Sequence, residues 1–141
     1  MRVLCVGRHA FLSEHLCRVF GEVGAVCDSA VGTSEAMTVA ARFEPDVVVC
    51  EGELLTPSVL DGWVREPALH RVPVIAVTLT QRPDDQLPVE HATSEWAAMI
   101  YLPGLSRTQL ASLLASVRRA SGVSAPSDWH VHAQLPSARQ L

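Results

Sequence analysis

One feature constrains this chain more than any other: its rhythm. Short continuous apolar runs alternate with longer segments whose apolar residues recur at helical spacing. Arg2–Val6 is an unbroken apolar run after its first residue and ends at Gly7, the pattern of a buried strand. Leu12, Leu16, Val19, Phe20 and Val23 then line one helical face over about Ala10–Val23, with Gly24 as the stop. Ala25–Ala30 is a weak second strand. Ser34–Phe43 is a second helix, closed by Pro45, which disfavours helix at the residue before it. Asp46–Cys50 is the clearest strand, short and β-branched.

A loop from Glu51 to Pro57 and a short helix near Ser58–Glu66 are expected next. Val72–Thr78 follows as a fourth strand. Leu79–Thr93 has the Pro and Asp content of a long loop, and a helical turn near Ser94–Ala97 leads into a fifth strand, Ala98–Leu102. The last helix is the best marked. Ser106 and Gln109 form an S-x-x-Q capping box. Leu110, Leu113, Leu114 and Val117 form its apolar face, and Gly122 is the expected stop.

Strand and helix thus alternate five times. Strands that are apolar throughout belong to a parallel sheet covered on both faces. Right-handed crossovers leave few topologies, and at this size the flavodoxin-like, doubly wound α/β order 2-1-3-4-5 is expected. Residues 1–122 form the expected domain. Residues 123–141 shift to Ser, Ala, Pro and Gln and are expected outside the core, flexible or in contact with a partner.

Composition removes several functions. All 11 basic side chains are arginine, and neither lysine nor asparagine occurs. Lysine Schiff-base chemistry, a P-loop and a protein-kinase site are therefore excluded. The net charge of −4 gives no basic footprint for direct nucleic-acid binding. Apolar runs are far shorter than the roughly 20 residues a membrane-spanning helix needs, and no signal peptide is visible. The G-x-G-x-x-G dinucleotide fingerprint is absent. Cys5, Cys17, Cys27 and Cys50 show no C-x-x-C spacing and read as small buried hydrophobes in a reducing cytoplasm. Cys5 does not open a C-x5-R phosphatase loop, because Phe11 stands where the arginine belongs.

Several local patterns occur in order at nearly fixed spacing. They are Pro45-Asp46-Val47-Val48-Val49-Cys50-Glu51, Leu60-Asp61-Gly62-Trp63, Val72-Pro73-Val74-Ile75-Ala76-Val77-Thr78 and Tyr101-Leu102. Together they resemble the response-regulator receiver domains of bacterial two-component signalling over roughly residues 1–122. The resemblance implies a site in which two acids after the first strand and an aspartate ending the third hold Mg²⁺. That aspartate takes a phosphoryl group, whose oxygens a Thr/Ser and a lysine bind.

This chain departs from the pattern. Gly7 and Arg8 stand in place of the acid pair, and Glu51 stands at the phospho-acceptor position. Pro103 or Gly104 falls at the lysine position, while Thr78 and the switch aromatic Tyr101 remain. An arginine repels Mg²⁺, and without metal or lysine nothing neutralises a transferring phosphoryl group. The resemblance is therefore to an atypical, pseudo-receiver that is not phosphorylated by the family mechanism.

Individual residues carry open alternatives. Glu51 is either a mimic of phosphoaspartate, paired with Arg8 across the mouth of the sheet, or a solvated loop acid. Thr78 and Tyr101 are either a two-state switch or a strand end beside a half-buried aromatic. Asp128, His130 and His132 spell D-x-H-x-H, a weak transition-metal pattern more simply read as a polar tail. His9 and His15 are expected at the surface, and His70 and His91 in loops. No catalytic residue, cofactor or metal is expected.

The functional expectation is a cytoplasmic, non-enzymatic, phosphorylation-independent signalling module. It would act by protein–protein contact with a histidine kinase or another regulator, or as a homodimer through the family's last strand and last two helices. The alternative is a small-ligand-binding or enzymatic domain using the crevice near Gly7, Glu51 and Thr78.

Overall fold

Five parallel strands form one sheet in the order β2-β1-β3-β4-β5 in the computed structural model, which describes residues 1–79 and 98–123. The strands are β1 (Arg2–Gly7), β2 (Val26–Val31), β3 (Val47–Glu51), β4 (Val74–Thr78) and β5 (Ala98–Tyr101). The described helices are α1 (Ala10–Gly21), α2 (Thr33–Phe43), α3 (Pro57–Arg65) and α4 (Arg107–Val123). This is the doubly wound α/β architecture and strand order that the sequence rhythm predicts.

The sheet is covered on both faces, and the alternation of strand side chains decides which residue meets which helix. Leu4, Val6, Val48 and Cys50 point to one face, where they pack against Phe43 of α2 and Trp63 of α3. Val3, Cys5, Val47 and Val49 point to the other, against Phe20 of α1 and Leu113 of α4. β3 lies between β1 and β4, and all five of its residues are buried. β2 is the edge strand, and Ala30 is its one buried residue. Its weaker sequence signal follows from that half-exposed position.

The caps follow local chemistry. The Gln109 N–H donates to the Ser106 hydroxyl at 3.2 Å, and the Ser106 N–H donates to Gln109 Oε1 at 2.9 Å. That is the capping box expected for α4. Thr56 caps α3 by accepting from the Val59 N–H at 3.2 Å, with Pro57 in the first turn. Two boundaries correct the sequence reading. Gly122 lies within α4 as described and does not end it. Glu51 is the last residue of β3, not the start of a loop, because its carboxylate is satisfied inside the fold. Among the described residues no helix is long and apolar enough to cross a membrane.

Because every strand runs the same way, Gly7, Val31, Glu51, Thr78 and Tyr101 all end on one edge of the sheet. In open parallel sheets this edge is where ligands and chemistry gather.

Candidate functional site

Gly7 ends β1, where the first turn of α1 closes tightly on it. A Cβ at Gly7 would lie 3.0 Å from the Ser13 nitrogen and 3.2 Å from Leu12 Cβ. A side chain here, acidic or otherwise, would meet helix backbone. The Gly7 carbonyl accepts from the Gly32 N–H at 2.9 Å, and Gly32, at φ 85°, makes the turn into α2 that only glycine adopts without strain.

Arg8 leaves the strand edge and reaches across to β3. Its Nε lies 2.8 Å from Glu51 Oε2, and its backbone N–H donates to Glu51 Oε1 at 3.1 Å. Its Nη1 lies 2.8 Å from Glu53 Oε1, on the 3₁₀ turn Gly52–Leu54 that follows β3. One guanidinium thus bridges two carboxylates. Glu51 is 5% exposed, whereas the Arg8 side chain is half exposed. The solvated-acid reading of Glu51 is therefore corrected: this carboxylate is buried, with both oxygens engaged by one residue.

The chemical consequence is direct. A buried carboxylate needs a partner, and an arginine stays charged at any ordinary pH. The cation at this edge is a side chain. A carboxylate with each oxygen held by a cation or a backbone N–H has its charge drawn off, which weakens it as a nucleophile. Among the described residues no group of three or more His, Cys, Asp or Glu is placed to hold a metal ion.

Thr78 and Tyr101 are register partners at the ends of β4 and β5. Thr78 is buried and Tyr101 half-buried. Glu51 pairs in register with Val77, so Thr78 lies one residue beyond it on the neighbouring strand. Pro103 and Gly104 lie in the 3₁₀ turn Leu102–Gly104 after β5, which Leu105 closes by donating to the Leu102 carbonyl at 3.1 Å. That turn holds no charged side chain. Asp128, His130, His132 and His91 lie outside the described residues. His9 is exposed at the start of α1. His15 is half-buried, not at the open surface, and its Nδ1 accepts from Arg18 Nη2 at 3.0 Å.

The cysteines need a correction. Cys5 and Cys50 are buried as expected, but Cys17 and Cys27 are only half-buried. Burial, and then the charge of Glu51, pushes the Cys50 thiol well above the ordinary range. Sequence reasoning also missed Glu53. Its position two residues after Glu51 was the available signal, but only the 3₁₀ turn brings it to Arg8.

No family model and no curated protein matches the chain. Solved structures do. A chemotaxis response regulator of Vibrio cholerae matches at a TM-score of 0.64 and 15% identity, covering 82% of this chain and 97% of that one. A signal receiver domain of a histidine kinase from Syntrophus aciditrophicus matches at a TM-score of 0.63 and 21% identity, covering 84% and 90%. The fold is that of response-regulator receiver domains. A receiver-modulated diguanylate cyclase from Pelobacter carbinolicus adds a third likeness, at a TM-score of 0.66 and 17% identity over 87% of this chain and 96% of that one. On this receiver fold, Glu51 ends β3 and Arg8 directly follows the end of its neighbour β1.

Proposed function

We propose that this chain is a non-catalytic signalling module, a pseudo-receiver that acts by protein–protein contact without being phosphorylated. The observation that carries this reading is the Arg8 guanidinium seated on buried Glu51, 2.8 Å from Oε2. In a phosphorylated receiver that edge would hold a divalent cation and an attacking carboxylate. Here the cation is covalently part of the chain, and the carboxylate is already engaged. Gly7 and the Leu102–Gly104 turn supply no acid and no lysine. The partner would be a histidine kinase, another regulator or a second copy of this chain, met in the cytoplasm. The crevice-ligand reading has less behind it, because Glu51, the one buried carboxylate among the described residues, is engaged by Arg8.

The test is intact-mass analysis after incubation with acetyl phosphate and Mg²⁺, with Arg8→Ala run in parallel. No phosphoryl adduct is expected on either protein, since removing Arg8 restores neither acid nor lysine. An adduct on wild-type Glu51 would sink the proposal.

A further inference from the structure

β2 pairs with β1 on one side, and no described strand lies on the other. The Val26 N–H donates to the Met1 carbonyl at 2.9 Å, and the Gly32 N–H donates to the Gly7 carbonyl at 2.9 Å. Backbone groups alternate along a strand, so the even-numbered residues from Val26 to Gly32 bond towards β1. Cys27, Ser29 and Val31 therefore turn their N–H and C=O groups outward. Such a row is a template for another strand, and proteins commonly blunt it with Lys, Pro or a bulge. β2 has neither Lys nor Pro, and its register with β1 runs unbroken from Val26 to Val31. Val26 and Val31 stand exposed at its two ends. Asp28 is its one charged residue. The Ser29 N–H, at the centre of the outward row, donates to Asp28 Oδ1 at 2.8 Å. Asp28 Oδ2 lies 3.8 Å from Arg42 Nη2 on α2, so both oxygens of this carboxylate have a partner.

We propose that the β2 edge is a pairing surface for a second copy of this chain, and that Asp28 latches it shut. The strand fits its own copy. Set antiparallel about a two-fold axis at Ser29, the outward residues meet as Ser29 with the copy's Ser29 and Cys27 with the copy's Val31. Each such pair exchanges two backbone hydrogen bonds, and the exposed Val31 side chain comes to lie against the copy's Cys27. An apolar residue at both ends of the strand suits this symmetry, because each end meets the opposite end of the copy. The central pair needs the Ser29 N–H, which Asp28 Oδ1 already holds. At 2.8 Å, Oδ1 stands at the N···O distance of a strand ladder, in the place the copy's carbonyl oxygen would take. Pairing would also set two Asp28 carboxylates on facing strands, and like charges there oppose each other. Arg42, reaching Oδ2 from α2, steadies the latch. The latch is separate from the Arg8–Glu51 pair, and it does not rest on the absence of phosphorylation.

The full chain and its Asp28→Ala and Asp28→Asn variants are compared by sedimentation equilibrium over a concentration series. Asp28→Ala is expected to rise to roughly twice the wild-type mass as concentration increases. Asp28→Asn keeps an acceptor oxygen for the Ser29 N–H and is expected to stay with the wild type. Ser29→Cys, added to Asp28→Ala, reads the register. Residues in a hydrogen-bonded antiparallel pair have Cα atoms about 5.5 Å apart, within reach of a disulfide. Mild oxidation should therefore link the two copies through position 29, as peptide mapping reads. The wild type gives a reading that needs no variant to fold. In amide hydrogen exchange, the Ser29 N–H should exchange more slowly than the outward N–H groups of Cys27 and Val31. The proposal is overturned if Asp28→Ala keeps the wild-type mass, or if no link forms through position 29. It is equally overturned if Asp28→Asn associates as strongly as Asp28→Ala, since charge alone would then guard the edge. A Ser29 N–H that exchanges as fast as those of Cys27 and Val31 also overturns it.

Discussion

Arg8 does two jobs with one side chain. It neutralises a buried carboxylate through Nε, and it steadies an exposed one through Nη1. The two contacts differ in worth. The Glu53 pair is about half exposed on both sides, so it contributes about 0–1 kcal/mol and fades with salt. Removing Arg8 strands Glu51 in the interior, at about 1–3 kcal/mol for an unsatisfied buried group. A double-mutant cycle of Arg8→Ala and Glu51→Ala, read by urea unfolding, should give a coupling of about 1–3 kcal/mol that survives high salt. Coupling near zero would mean that water replaces Arg8 freely. Cys50 supplies a second prediction at this scale. Its thiol is raised by burial, so above about pH 8.5 the unfolded chain loses a proton that the folded chain keeps. The folded state then binds more protons, and stability falls as pH rises, by about 1.4 kcal/mol per unit for one thiol. Cys5 and Cys17, also raised, act in the same direction, whereas Cys27, held below the ordinary range, opposes them until the unfolded thiol is fully ionised. Between about pH 8 and pH 10, Cys50→Ala should therefore lose about 1–3 kcal/mol less stability than the wild type, whatever its cavity costs at both pH values.

The junction of β1 and α1 shows what an element boundary needs from one position. α1 begins at Ala10 without a side-chain cap, and its first turn lies against the end of β1. Gly7 permits this by having no Cβ. Gly7→Ala would place that atom 3.0 Å from a helix nitrogen, which is backbone and cannot swing aside. The expected cost is about 1–3 kcal/mol, in the manner of overpacking, measured as a lower urea midpoint with an unchanged slope. At this scale the sequence was readable where an element declares itself locally. The β-branched run of β3 and the Ser106–Gln109 box needed no partner to be recognised. It was unreadable where meaning depends on register. Glu51 looked like the start of a loop because a carboxylate inside a strand makes sense only once Arg8 is known to sit beside it. The thiols at 5, 17 and 27 share no motif. Only the β1-α1-β2 crossover puts them on one face of the sheet.

At the scale of the whole molecule, the two-faced sheet closes within a definite stretch of chain. Among the described residues, core side chains run from Val3 to Val117, and both faces of β1, β3 and β4 find helices within it. Alternating apolar runs made this architecture legible, because strands buried on both faces have no polar positions to confuse the pattern. The function was less legible for the opposite reason. It rests on which polar groups share one edge, and topology places those from residues 43 positions apart. If the core is complete as described, residues 124–141 contribute little to stability. Their Ser, Ala, Pro and Gln content offers few large apolar groups to bury. A chain ending at Val123 is therefore expected to unfold within about 0.5 kcal/mol of the full chain, the range of surface changes away from structural features, and to keep the same far-ultraviolet circular dichroism per described helix. A loss of several kcal/mol would place part of that segment on the core. An unchanged midpoint would leave that segment outside the core, as its composition predicts.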